Sequence, residues 1–150
     1  MARKLIKKFS SKNQPFLLML SWGPPHDPYH TAPDKFKDLY KEIDIKIPEN
    51  VPEELRGKAH DQLRGYYSHI SALDRCLKMI MKCLKRSALE ENTLLVVTSD
   101  HGDMLFSQGL TRKLYPFEES VRIPFVLRDP DLQHQAGTTC DAPIDAPDVM

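Results

Sequence analysis

The sequence predicts an α/β fold, with part of a mixed, mainly parallel sheet flanked by helices. Two apolar runs, 15–21 and 93–99, have the length of buried strands. A long amphipathic stretch that ends near residue 87 lies between them. Strand, helical crossover and strand form a βαβ unit, whose parallel strands end at the same sheet edge. We therefore expect the residues that follow the two runs to lie close together.

The elements before the long helix are short. In chain order they are a helix at 3–10, a buried strand at 15–21, a proline-braced loop at 22–34, a turn of helix at 34–41 and a surface excursion at 42–56.

The long helix is predicted to start at Pro52 or Arg64 and to end at Ser87. Its apolar stripe consists of Ile70, Leu73, Leu77, Ile80, Met81 and Leu84. Its opposite side carries Asp74, Arg75, Lys78, Lys82, Lys85 and Arg86. After the strand at 93–99 we expect a further strand at 123–128 and an irregular tail at 130–150.

Composition narrows the class of protein. The 150 residues are 41% hydrophobic and contain 21 Lys and Arg against 21 Asp and Glu. A near-zero net charge argues against a general nucleic-acid binder, so no nucleic-acid partner is predicted. No run is long enough to span a membrane, and 15–21 does not fit a signal peptide. Cys76 and Cys83 would lie about 10 Å apart along one helix, too far for a disulfide.

Polar side chains follow both apolar runs. Asp100 and His101 come directly after 93–99, and a carboxylate beside an imidazole suits a divalent cation such as calcium, manganese or zinc. Asp100 could instead cap a helix, with Gly102 easing the turn. Asp103 is expected to be solvated.

His26 and Lys113 are the candidates for contact with an anion. Prolines around His26 would hold its imidazole still, where it could donate to an anionic oxygen or a leaving group, or serve as a partly buried structural residue. His30 is a weaker candidate. Lys113 offers a point charge for sulfate or phosphate oxygens, although a lone lysine is more often a solvated surface residue without a binding role.

Four segments together resemble the C-terminal part of the catalytic domain of a sulfatase, in the alkaline-phosphatase-like superfamily. The resemblance covers residues 14–150, so 1–150 is identified as a partial catalytic domain. The segments are Pro15 to Tyr29, the helix from Tyr66 through Asp74, Asn92 to Asp103, and Lys113 with Phe117 to Phe125. The stretch 142–150 resembles the passage toward the closing helix of the family.

The resemblance implies sulfate-ester hydrolysis with a divalent metal, usually calcium. Asp100 and His101 would then be metal ligands, and His26 and Lys113 would contact the sulfate ester. The implied substrate is a small sulfate ester or a sulfated glycan. Family members are often secreted, periplasmic or lysosomal.

The sequence departs from the family at the nucleophile. No Cys/Ser-x-Pro-x-Arg motif, the precursor of the formylglycine nucleophile, occurs in 1–150, and the early metal aspartates are also missing. We therefore expect this chain to be inactive alone, and the missing N-terminal half to be its partner. Two alternatives stay open: a phosphonate monoester or phosphodiester hydrolase of the same superfamily, and a non-catalytic anion-binding or interaction module.

Overall fold

A computed structural model describes residues 1–12, 14–145 and 148. Its helices are α1 (Ala2–Ser10), α2 (Asp34–Lys37), α3 (Arg56–Arg86) and α4 (Glu118–Val121), and its strands are β1 (Leu95–Thr98) and β2 (Phe125–Arg128). The predicted short helices at 3–10 and 34–41 are confirmed, as is the strand at 123–128. The predicted stretch 142–150 lies partly outside the described residues. None of the described helices has the length and apolar character needed to cross a bilayer.

Helix α3 carries both hydrophobic clusters of the fold. Its C-terminal half packs Ile80, Cys83 and Leu84 against Ile6 of α1. Its N-terminal half packs Leu63 in a second cluster whose other buried members are Tyr29, Ile45 and Leu105. One helix of 31 residues, about 45 Å long, therefore supports α1 at one end and the loops that contain Tyr29, Ile45 and Leu105 at the other.

The predicted apolar stripe of α3 is correct mainly near its C-terminal end. Ile80 and Leu84 are buried, whereas Ile70 and Met81 are 42% and 37% exposed. The N-terminal half is buried instead through Leu63 and through four small or polar residues: Ala59, Gly65, Ser68 and His69. Close approach of the loops selects small side chains there, and apolar periodicity does not reveal that. The predicted charged side is exposed.

The prediction of a buried strand at 15–21 is wrong in this structure. The segment is extended, but within the described part of the chain its backbone joins no ladder. Leu18 and Leu20 pack on the cluster around Ile6, whereas Leu17 and Met19 on the other face are 89% and 83% exposed. An extended segment becomes a buried strand only when neighbours cover its edges and both faces, and here only one face is covered.

The sheet consists of β1 and β2 in the described residues. They pair antiparallel, from Leu95 opposite Arg128 to Thr98 opposite Phe125. The parallel pairing expected between 15–21 and 93–99 is not among the described ladders, so only the antiparallel part of the predicted mixed sheet is present. The strand predicted as fully buried at 93–99 is shorter and half-buried, and Leu94 before it is 58% exposed.

The segment 42–56 is not simply a surface excursion. Ile45 and Val51 are buried. The Asn50 carbonyl accepts a hydrogen bond from the Gln108 backbone N–H, and the Asn50 amide donates to the Glu119 carboxylate at 2.7 Å. The segment therefore supports the loop that precedes Lys113. Buried apolar residues in an irregular segment show no periodic pattern, so their burial is not predicted from the sequence.

Helix α3 approaches the loop at 22–34 most closely at Gly65. A Cβ on Gly65 would lie 2.6 Å from the Tyr29 carbonyl oxygen and 2.8 Å from its carbonyl carbon and Cβ. Such contacts are far inside van der Waals distance, and two of these three atoms are backbone. Glycine is thus required because the helix touches the loop backbone, not because its own backbone is strained.

We expect Gly65→Ala to destabilise the fold. Alanine in a helix interior normally stabilises by about 1 kcal/mol relative to glycine, but here the added methyl must displace the Tyr29 backbone, an overpacking cost of about 1–3 kcal/mol. Gly57→Ala is the matched control, because Gly57 lies in the same helix and a Cβ there meets nothing within 4 Å. Urea denaturation should show a lower midpoint for Gly65→Ala only; equal midpoints for the two variants would contradict the packing argument.

Candidate active site

The loops that follow 15–21 and β1 open into one cavity of about 470 Å³. All four predicted site residues line it, so the prediction that they lie together is confirmed. The lining consists of residues 22–28, Thr31, Tyr66, residues 99–103 and Lys113. His30 is not among the lining residues. A volume of this size is ordinary for a small-molecule site.

His26 is held between its own loop and Lys113. Its Nδ1 lies 2.8 Å from the Asp27 carbonyl oxygen, and its Nε2 lies 2.7 Å from Lys113 Nζ. A carbonyl oxygen only accepts and an ammonium only donates, so Nδ1 carries the proton and Nε2 offers its lone pair. His26 thus donates through Nδ1 and accepts through Nε2, where the Lys113 ammonium is its donor.

His101 lines the cavity, and each of its ring nitrogens has a polar neighbour. Nδ1 donates to the Gly102 carbonyl oxygen at 2.7 Å, and Nε2 lies 3.7 Å from Asp100 Oδ2. The ring meets that of His26 edge to face at 5.8 Å. Ser99 Oγ donates to the His101 carbonyl at 2.8 Å and fixes the turn. A metal-ligating histidine commonly donates its other ring N–H to a backbone carbonyl in this way.

Asp100 is not a helix cap. No helix begins after it, and its side chain is 87% exposed toward the cavity side of the turn. Gly102 instead permits close packing on α4, because its N–H donates to the Ser120 carbonyl at 2.8 Å and a Cβ would collide with the Glu119 carbonyl. The residue expected to ease a helix start in fact packs the turn after β1 against α4.

The sequence predicts a solvated Asp103, whereas in the structure both of its carboxylate oxygens accept hydrogen bonds. Its Oδ2 accepts a 2.6 Å hydrogen bond from the Tyr29 hydroxyl, and its Oδ1 accepts one from the Leu105 N–H at 3.1 Å. Burial, followed by the bond and charge of Asp103, raises the pKa of Tyr29 far above its usual value. Burial and then the Asp103 charge also raise the pKa of Tyr66.

The loop at 104–112 returns the chain to the cavity and delivers Lys113. Met104 is fully buried, and its N–H donates to the Arg112 carbonyl at 2.7 Å, closing the loop. Leu105, Phe106, Gln108 and Arg112 all have positive φ. Non-glycine residues in that region are uncommon and persist where surrounding contacts hold them. Sequence patterns give no signal for this path.

Four residues in or beside the cavity are not predicted from the sequence as site residues: Tyr29, Tyr66, Thr31 and His69. His69 is buried on α3, and its Nε2 lies 3.3 Å from the hydroxyl of the cavity residue Thr31. The one available signal was spacing, because Tyr29 follows His26 by three residues as Asp103 follows Asp100. Their pairing across 74 positions requires the tertiary structure.

The described residues do not make a complete metal site. Calcium takes about six to eight oxygen ligands. Asp100 and His101 supply one carboxylate and one imidazole, and nowhere in the described ranges do three or more His, Cys, Asp or Glu residues gather in a way that could hold a metal. The cavity nevertheless has three carboxylates, on Asp27, Asp100 and Asp103, against the one ammonium of Lys113. That balance favours a bound cation over a bare anion.

Comparison with known proteins places the whole chain in one family. A family model described as Sulfatase matches residues 1–150. The chain is 33% identical to an ulvan-active sulfatase of Formosa agariphila, over 99% of this chain and 30% of that protein. It is 33% identical to an endo-4-O-sulfatase of Bacteroides thetaiotaomicron, over 91% of this chain and 28% of that protein.

Solved structures show the same relationship. A structure from Bacteroides fragilis assigned to the sulfatases (yidJ) superposes with a TM-score of 0.82 and 34% identity, covering 87% of this chain and 30% of that one. A Bacteroides thetaiotaomicron structure from work on glycosaminoglycan metabolism superposes with a TM-score of 0.76 and 29% identity, covering 85% of this chain and 29% of that one. The α/β fold class is thereby confirmed. The chain spans about 30% of the length of the relatives that it matches.

The raised pKa of Tyr29 predicts a specific loss of stability in alkali. The unfolded tyrosine ionises near its ordinary pKa of 10.0 and the folded one above it, so the folded state holds the proton more tightly. The stabilisation is complete below that pH and is lost as the pH rises above it. Tyr29→Phe should have a flatter dependence of unfolding free energy on pH above 10.0 than wild type. Denaturant titrations across this range measure it, and parallel curves would contradict the assignment.

Proposed function

The chain belongs to the sulfatase family, and we propose that its cavity is the sulfate-binding part of a sulfuric ester hydrolase active site. The observation that carries this proposal is the convergence of His26, Asp100, His101 and Lys113 on one cavity. These four residues are the ones whose roles the resemblance implies. The substrate would be a sulfate ester, and the ulvan-active relative favours a sulfated glycan over a small ester.

Lys113 and His26 would contact the sulfate group. The Lys113 ammonium now donates to His26 Nε2, and a sulfate oxygen is a stronger, charged acceptor for the same ammonium. Binding would therefore replace the lysine–histidine contact and free His26 Nε2. Once Nε2 has taken up a proton from solvent, with Nδ1 still donating to the Asp27 carbonyl, His26 could pass that proton to the departing ester oxygen.

Asp100 and His101 would contribute ligands to a divalent metal, with calcium the metal that the resemblance implies. The support is the hydrogen bond from His101 Nδ1 to the Gly102 carbonyl, which orients the ring and leaves Nε2 3.7 Å from Asp100 Oδ2. A metal held there would neutralise carboxylates and attract the sulfate group. The remaining ligands must come from residues other than those described.

The nucleophile must also come from outside residues 1–150. We propose that 1–150 is a partial catalytic domain whose partner is the remaining part of a sulfatase domain. That partner would add a strand along the backbone of 15–21, which pairs with no strand in the described residues, and would cover Leu17 and Met19. An exposed edge with apolar side chains is a template for strand addition.

A phosphonate monoester or phosphodiester hydrolase is the second candidate. The observation that favours it is His101, an imidazole beside the metal aspartate, where sulfatases often have asparagine according to the resemblance. Competition between inorganic phosphate and sulfate for the cavity would discriminate between the two ligand classes.

We expect the 150-residue chain to bind inorganic sulfate in the presence of calcium, which would offset the cavity carboxylates, without hydrolysing an aryl sulfate, because a covalent route needs a nucleophile. Lys113→Met should weaken sulfate binding about tenfold or more, since charge-assisted hydrogen bonds contribute about 1.5–3 kcal/mol. Isothermal titration measures the affinity. Lys78→Met, an exposed lysine on the outer side of α3, is the charge-matched control. Equal weakening in both variants, or turnover by the wild-type chain, would contradict the proposal.

The exposed face of 15–21 should govern self-association of the isolated chain. Replacing Leu17 and Met19 together with serine should raise the monomer fraction without lowering the melting temperature, because both side chains are exposed. Leu18→Ser is the control on the packed face and should lower the melting temperature. Sedimentation velocity and thermal denaturation distinguish the two. A monomeric wild-type chain would count against a missing neighbour at this edge.

A further inference from the structure

We infer that the Tyr29–Asp103 hydrogen bond positions the two rims of the cavity relative to each other. One rim is the loop that carries His26, and the other is the turn that carries Asp100 and His101. Sulfate binding by these rims rests on the proposed function. The Tyr29–Asp103 hydrogen bond, called the clamp below, rests on the geometry alone.

The clamp lies next to the cavity residues on both rims. Tyr29 is three residues after His26, and Asp103 is three residues after Asp100. Their 2.6 Å bond joins positions 74 residues apart. A change in that distance is therefore passed directly to the side chains on either rim.

Both ends of the clamp are anchored. Tyr29 is 6% exposed and packs with Leu63 and Leu105, and its backbone touches Gly65 of α3. The second oxygen of Asp103 accepts from the Leu105 N–H, next to the fully buried Met104. The hydrogen bond thus connects the main helix to the turn after β1 through groups that have little freedom to move.

Tyr29 also packs against Leu105, two residues after Asp103. The contacts of His26 with the His101 ring and with Lys113 Nζ involve instead groups that a ligand would engage. An anion in the cavity would replace the latter. The Tyr29–Asp103 bond does not need to break when a ligand enters, so it can hold the rims in register in both states.

A matched pair of tyrosine variants isolates this role. Tyr29→Phe removes the hydroxyl and keeps the ring in its cluster. Tyr40→Phe also removes a hydroxyl that bonds to its partner at 2.7 Å, Ser71 Oγ of α3, but Tyr40 does not line the cavity. A purely structural effect would be shared by both variants, whereas a positioning effect would appear only in the first.

The experiment compares three measurements on the full 150-residue chain. They are the melting temperature, the affinity for inorganic sulfate in the presence of calcium by calorimetry, and the nuclear Overhauser contact between the His26 and His101 ring protons. We expect similar melting temperatures for the two variants. Only Tyr29→Phe should lose the ring contact and bind sulfate about tenfold more weakly, because small displacements of binding groups are costly.

Asp103 variants test the clamp from the other side and serve if Tyr29→Phe does not fold. Asp103→Asn keeps an acceptor for the Tyr29 hydroxyl and should retain the ring contact, whereas Asp103→Ala should lose it. A ring contact preserved in Tyr29→Phe or in Asp103→Ala, or lost equally in Tyr40→Phe, would overturn the inference. Absence of sulfate binding in the wild type would refute the proposed function, while the ring contact would still decide the clamp.

Discussion

The contact between Gly65 and the Tyr29 backbone is the constraint on which the cavity depends. It lets α3 approach the proline-rich loop closely enough for the Tyr29 ring to enter the cluster around Leu63. From that buried position the hydroxyl reaches Asp103. A long helix thereby sets the position of two loops that are distant in sequence, and the loops carry the polar chemistry.

The cavity has the composition of a site that binds a cation together with an anion. Three carboxylates face one ammonium, so a sulfate group alone would meet mostly like charge. A divalent cation beside Asp100 and His101 would cancel that excess of negative charge. The coordination shell is incomplete in the described residues, and this agrees with a chain that spans about 30% of the length of its relatives.

The extended segment 15–21 shows the same incompleteness at the level of the fold. Its inner face packs through Leu18 and Leu20, while Leu17 and Met19 remain exposed. Apolar side chains on both faces are typical of a strand inside a sheet covered on both sides. The sequence of this segment is therefore suited to neighbours that the described residues do not supply.

The sequence alone determined the elements with strong local patterns and pointed to four of the cavity residues, His26, Asp100, His101 and Lys113, because helix periodicity and the order of these residues are properties of the chain itself. It overestimated the burial of 15–21, since an apolar run reports what a segment can bury and not whether a neighbour is present. Only the tertiary structure decided that Asp103 is bound by Tyr29. The reason is physical: a hydrogen bond across 74 residues depends on how α3 packs against the loops, and no local pattern encodes that packing.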